Sequence, residues 1–285
     1  MTAARNAVKM TLRAYAIGTS SLRAQPDFIV IGGKRCGTTS LFRNLARHPD
    51  FVPLFPPAQQ IKGAHFFDTN FTKGKTWYRS HFPLRATVAR RRSDNRVSFT
   101  GEASPYYLFH PHAARRARDC VPDAKLIVLL RNPPDRAFSH YRERVRHGVE
   151  SLSFEEALEA EDVRLAGEEE KLLADETYYS FAHEHLSYFR QGLYADALER
   201  WLQFFPRDRF LFLRSEDMFT RPAAAYDEVT TFLGVAALPE DTFERHNWHP
   251  GDPMRASTRA QLATRFADAN ERLSRLLDMG FPAWD

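Results

Sequence analysis

The chain has 285 residues, of which 43% are hydrophobic and 27% charged, with a formal net charge of +4 and a pI near 9.1. That balance suits one globular unit with a sizeable core and excludes a disordered or fibrous chain, and the mild positive excess permits an anionic ligand without demanding one. The two cysteines, Cys36 and Cys120, make no disulfide framework and point to a reducing, cytoplasmic setting, while no stretch approaches the ~18 apolar residues that a membrane span needs.

Residues 1–25 carry scattered Arg and Lys but no apolar core of a secretory signal, so they read as an N-terminal arm, either a short amphipathic helix or a frayed end. Residues 26–285 read as a single domain without internal repeats or low-complexity linkers. Residues 27–31 form a β-branched and aromatic run bounded by Pro26 and by Gly32 and Gly33, the pattern of a buried parallel strand. Helical spacing follows over 38–47 through Leu41, Phe42 and Leu45, and Pro49 stops it. The Arg90, Arg91, Arg92 run reads as a solvated loop. Further strands are predicted at 97–101, at 124–130, the clearest of the four, and at 210–213. Helices are predicted from the capping box of Ser153 and Glu156, over 194–204, and over 258–279. Strands separated by helices imply an α/β fold, with a central parallel sheet covered by helices on both faces. Ligands of such sheets bind at the carboxyl ends of the strands.

Two motifs stand at those ends. Gly32-Gly33-Lys34-Arg35-Cys36-Gly37-Thr38-Thr39-Ser40 joins the first strand to its helix with the glycine spacing of a phosphate-binding P-loop. Backbone amides there can converge on an anion at the helix N-terminus. Thr38, however, occupies the place of the P-loop lysine, and the positive charge lies at Lys34 and Arg35 instead. No aspartate after a strand offers itself as a Mg²⁺ ligand, so a kinase or nucleotide hydrolase is the weaker alternative. After the third strand, Arg131-Asn132-Pro133-Pro134 opens a helix that carries Ser139 about a turn and a half on. The planar fork of Arg131 and the hydroxyl of Ser139 can grip one phosphate. The His183/His185 and His246/His249 pairs lack the ligand number of a metal site, and no metal is expected. The basic residues form no stripe interleaved with aromatics, so no nucleic-acid partner is expected.

With these motifs in view the sequence resembles the sulfotransferases that use 3′-phosphoadenosine 5′-phosphosulfate (PAPS), especially the heparan sulfate glucosaminyl 3-O- and N-sulfotransferase branch, as a bacterial-type member. The resemblance runs from about Asp27 to Asp285. It also includes His65-Phe66-Phe67-Asp68, Gly74-Lys75-Thr76-Trp77-Tyr78, Gly101-Glu102-Ala103-Ser104-Pro105-Tyr106, the Trp201 to Pro206 run and the C-terminal Gly280 to Trp284. It implies that Lys34, Arg35, Cys36, Gly37, Thr38, Thr39 and Ser40 bind the 5′-phosphosulfate and that Arg131 and Ser139 bind the 3′-phosphate.

The chain departs from the family in four places. Arg35 stands where a lysine is common, Gly63 where the heparan branch has a catalytic glutamate, and Ala103 where 3-O-sulfotransferases have a lysine. The basic stretch that closes over PAPS has no clear counterpart around His246 to Arg255. With Gly63 in the base position, the candidates for general base are His65, Glu102 and Asp68; His65 is the first choice, with Glu102 orienting it or sharing the proton. Arg35 is the cation expected over the leaving bridging oxygen. The implied reaction is sulfuryl transfer to a hydroxyl or amine of a carbohydrate, glycolipid or small molecule. A catalytically weak binder that keeps the PAPS fold is the other alternative.

Overall fold

A computed structural model describes residues 2–91, 97–239, 243–246, 252–277 and 284. Four strands, β1 (Phe28–Gly32), β2 (Gly101–Ala103), β3 (Lys125–Leu130) and β4 (Phe210–Arg214), form one parallel sheet in the order β2-β1-β3-β4, flanked by helices. β1 and β3 are the inner pair, and almost every residue in them is buried, which is why they read as unbroken apolar runs. Phe28 is level with both Gly101 and Lys125, and the β1–β3 register shifts between Val30 and Gly32, where the strand gives way to the glycine-rich loop. The main core gathers Phe28, Phe42, Phe51, Phe66, Phe67 and Phe99 with the aliphatic residues of β1 and β3. A second apolar cluster around Phe154, Tyr188 and Phe266 packs beneath Ala137.

β2 lies four residues further on than the predicted strand at 97–101. Phe99 makes only an isolated bridge to Phe51, and Val97 is exposed. Gly101 starts β2 because the Phe28 ring crosses it: a Cβ there would sit 2.4 Å from that ring. The other three strands fall within a residue or so of their predicted bounds. Helices run over Thr38–Leu45, Pro133–Arg146, Phe154–Leu165, Tyr194–Leu202 and Ala256–Leu277. The capping box of Ser153 and Glu156 is present, and Met279, at the end of the predicted last helix, lies outside the described residues. Arg90 belongs to the helix Arg85–Arg91 rather than to a loop, and Arg92 lies outside the described residues.

The N-terminal segment is a helix, Thr2–Gly18, and its second half is anchored. The Arg13 guanidinium donates to the Trp77 carbonyl and lies over the Trp77 ring. Buried Arg23 donates to the carbonyls of Ala16 and Phe82 and faces the Phe55 ring. Among the described residues no helix is long and apolar enough to cross a membrane.

Candidate active site

A cleft of about 840 Å³ opens where β1 and β3 end, and eight Lys and Arg side chains line it against three carboxylates. Its floor is the loop after β1. The Gly33 amide donates to the Leu129 carbonyl at 2.6 Å, tying the loop to β3, and the Ser215 hydroxyl donates to the Cys36 carbonyl. Gly37 caps the following helix with φ 89°, a left-handed conformation that glycine adopts without strain, and a Cβ there would meet Met218 at 2.6 Å. The first amides of the Thr38–Leu45 helix have no intrahelical acceptor, so they and the Thr38 and Thr39 hydroxyls present donors to an anion.

The second wall starts at β3. Tyr194 donates its hydroxyl to the Arg131 carbonyl at 2.9 Å, and Arg131 Nη1 reaches the Arg35 carbonyl at 3.4 Å. Asn132 caps the Pro133–Arg146 helix by accepting from the Asp135 amide. That helix then carries Ser139, Glu143 and Arg144 along the cleft. Arg35, itself at φ 70°, turns its guanidinium to this wall: Nε donates to Ser139 Oγ at 3.2 Å and Nη1 to Glu143 Oε1 at 2.8 Å. Lys34 Nζ donates to the Glu184 carbonyl at 2.9 Å and stands 3.7 Å from its carboxylate. Burial draws the Lys34 ammonium down to about 8, against the opposing pull of Glu184.

The third wall is the segment before β2. The Ala103 amide donates to the Lys62 carbonyl, and the Ala64 amide donates to Glu102 Oε2, so the chain from Lys62 to His65 runs along the strand. Gly63 is pressed against it. A Cβ there would lie 2.4 Å from both the Ala103 carbonyl oxygen and Ser104 Oγ, so this backbone has no room for a side chain at that position. Lys62 Nζ crosses the cleft to Thr38 Oγ1 at 3.2 Å and Thr39 Oγ1 at 3.1 Å, and burial pulls its ammonium down to about 8. His65 shares the cleft, with Nδ1 2.9 Å from the buried Asp68 carboxylate. Burial pulls its imidazole down, but the hydrogen bond and charge of Asp68, with Glu184 beyond, outweigh that and hold it above its ordinary value.

Residues 25–257 match the family model described as a sulfotransferase domain. The chain belongs to the sulfotransferase family. It is 30% identical over 291 residues to the human bifunctional heparan sulfate N-deacetylase/N-sulfotransferase 3, covering 91% of this chain but 31% of that protein. The chain thus spans about a third of that bifunctional relative. It is 31% identical over 236 residues to the human heparan sulfate glucosamine 3-O-sulfotransferase 6, covering 81% of this chain and 58% of that one. Among solved structures, a sulfotransferase from Alicyclobacillus acidocaldarius superposes with a TM-score of 0.64 at 32% identity, covering 92% of this chain and 99% of the other.

Within this sulfotransferase Lys34, Arg35, Gly37, Thr38, Thr39, Arg131, Ser139 and His65 line one cleft, whereas Cys36, Ser40 and Glu102 stand back from it. Glu102 is fully buried and accepts four hydrogen bonds, from the Ala64 amide and the hydroxyls of Ser104, Tyr78 and Tyr107. Asp68, not Glu102, makes the side-chain contact with His65. Ser40 binds the His246 backbone, and Cys36 is buried beside the Tyr194 hydroxyl. The two histidine pairs do different things. His183 is buried against Phe109 and Tyr106, His185 lines the cleft next to Arg144, and His249 lies outside the described residues. Among the described residues no group of three or more His, Cys, Asp or Glu is arranged to hold a metal.

Sequence reasoning missed Lys62, Glu143, Arg144, Glu184 and Arg245. The last stands in the cleft one residue before the stretch that shows no basic counterpart. A lysine next to the vacated glutamate position was the one local signal for Lys62. The others are ordinary surface letters until the fold gathers them.

Proposed function

We propose that this sulfotransferase moves the sulfuryl group of PAPS to a hydroxyl or amine of a carbohydrate, glycolipid or small-molecule acceptor. One observation carries the reading: the loop after β1 and the Arg131–Ser139 wall after β3 bring two sets of hydrogen-bond donors into a single cleft rich in Lys and Arg. A nucleotide with a 5′-phosphosulfate and a separate 3′-phosphate has that charge pattern. The loop amides, Lys34, Thr38 and Thr39 suit the 5′ end, and Arg131 and Ser139, with the Arg35 guanidinium beside them, suit the 3′ end. Sulfuryl transfer, like phosphoryl transfer, depends mostly on positioning and on charge placed where it develops. The side-chain cations supply that charge without requiring a metal. The heparan sulfate relatives favour a carbohydrate among the acceptor classes, and the two unpaired cysteines favour a cytoplasmic site of action.

Adenosine 3′,5′-bisphosphate is expected to raise the melting temperature well beyond what AMP does. Arg131→Ala should erase the difference, since the lost charge-assisted contact is worth about 1.5–3 kcal/mol. Thermal scans with each nucleotide check this. Equal shifts from both nucleotides on the natural chain would remove the 3′-phosphate assignment, and labelled PAPS that transfers no sulfate to any acceptor would remove the reaction.

His65 is the proposed general base. Its Nδ1–H is directed at Asp68, which leaves Nε2 to take the acceptor proton. A base works unprotonated, and its pKa lies above the ordinary 6.5, so the acidic limb of the rate profile is expected above that pH. Asp68→Asn removes the charge that raises it and lets burial dominate. The limb should then move to lower pH while the plateau rate falls. An unmoved limb in that variant would mean that His65 is not the titrating group.

A further inference from the structure

We propose that Lys62 is the catalytic cation at the transferred sulfuryl group, and that Arg35 serves the 3′-phosphate. This rests on the PAPS reading above and redistributes the roles within it.

Lys62 is fixed at both ends. Its carbonyl accepts from the Ala103 amide at the end of β2, and its ammonium donates to the two threonine hydroxyls that open the helix behind the phosphate loop. An ammonium has three protons to donate, and those hydroxyls take two, leaving the third for a ligand in the cleft. No carboxylate among the described residues pairs with it. A largely desolvated ammonium with no carboxylate in contact is costly to keep unless an anion completes it. The hydroxyls that hold it are the ones that would meet the 5′ end of the nucleotide. Three residues further on stands His65, in the same cleft.

Arg35 is placed otherwise. Its guanidinium is committed to Ser139 and Glu143 on the opposite wall, and its carbonyl receives Arg131. That is the 3′-phosphate position, and an incoming phosphate replaces Glu143 as the partner of its fork. In the transfer step the bond from sulfur to the bridging oxygen breaks, with its electron pair leaving on the nucleotide 5′-phosphate. The acceptor oxygen or nitrogen bonds to sulfur and its proton passes to His65. Negative charge grows on the bridging oxygen, and Lys62 is the cation directed at the loop where that oxygen sits.

The test separates the two nucleotides that differ only in the sulfuryl group. Calorimetry with adenosine 3′,5′-bisphosphate and with PAPS is run on the natural chain, Lys62→Ala, Lys62→Met and Arg35→Ala, together with single-turnover loss of sulfate from labelled PAPS. The methionine keeps the packing of the aliphatic stem. Both Lys62 variants are expected to bind the bisphosphate within about twofold of normal. They should weaken PAPS about tenfold or more and slow sulfate loss on the order of a hundredfold or more, with partial recovery in Lys62→Arg. Arg35→Ala is expected to weaken the bisphosphate about tenfold and leave AMP affinity unchanged. Lys62 variants that weaken both nucleotides equally, or an Arg35→Ala protein that binds the bisphosphate normally yet loses turnover about a hundredfold, would overturn the assignment. A natural chain that binds neither nucleotide would instead overturn the PAPS reading beneath it.

Discussion

Replacing His65 by alanine is expected to cut turnover by about 10²–10⁴-fold, the usual share of general base catalysis, while leaving affinity for adenosine 3′,5′-bisphosphate close to normal. The imidazole lines the cleft and pairs with Asp68, and among the described residues it makes no hydrogen bond to the loop residues proposed for the nucleotide. Its side chain is 40% exposed, so its loss removes little packing. The backbone needs a control, because His65 sits at φ 48°, where most side chains are strained. Asparagine tolerates that conformation better than alanine. His65→Asn should therefore keep the melting temperature of the natural chain and still lose the rate. If His65→Asn turns over normally, proton removal at this site is not rate-determining, and an amine or an acidic phenol becomes the favoured acceptor.

The second large effect concerns stability. Glu102→Ala is expected to destabilise the fold by about 3–4 kcal/mol, since each of several donors left unpaired in a dry interior costs about 1–3 kcal/mol. Four donors converge on this carboxylate, and they tie β2 to the segment that carries Lys62 and His65. At roughly 2–4 °C per kcal/mol for a chain of this size, the melting temperature should fall by about 6–16 °C. Burial raises the carboxyl pKa against the pull of its hydrogen bonds. Glu102→Gln keeps an acceptor oxygen at the centre of the cluster and should lose less stability and retain turnover. A Glu102→Gln protein of normal melting temperature that is inactive would instead place Glu102 in the chemistry.

The inner strands were legible because burial on both faces writes itself as a continuous apolar run, as in Leu126 to Leu130. The turn from β1 into its helix was legible because glycine spacing is local. β2 was not. Its three residues, Gly101, Glu102 and Ala103, are poor strand formers, and they are held by a ring from β1 and by donors from positions 64, 78, 104 and 107. Tertiary contacts there override propensity. Lys62 escaped notice for a similar reason. Its partners lie 24 and 23 residues upstream, and nothing in its own neighbourhood announces them. The expectation for Arg35 rests on its place in the loop, while the direction of its side chain depends on Glu143, 108 residues away.

Both elements proposed to face phosphates rise from β1 and β3, the inner pair of the sheet, whereas His65 belongs to the stretch between Leu45 and Gly101, which contributes no strand among its described residues. Local opening draws on the parts of a protein with the fewest buried backbone bonds. Amide protons at the base of the loops that follow β1 and β3 are therefore expected to exchange with solvent near the rate of global unfolding, and those of the exposed turn at residues 57–60 much sooner. The groups proposed for the nucleotide thus rise mostly from the most persistent part of the molecule, whereas Lys62 and His65 are carried by a strandless segment that Glu102 and Ser104 fasten to the end of β2.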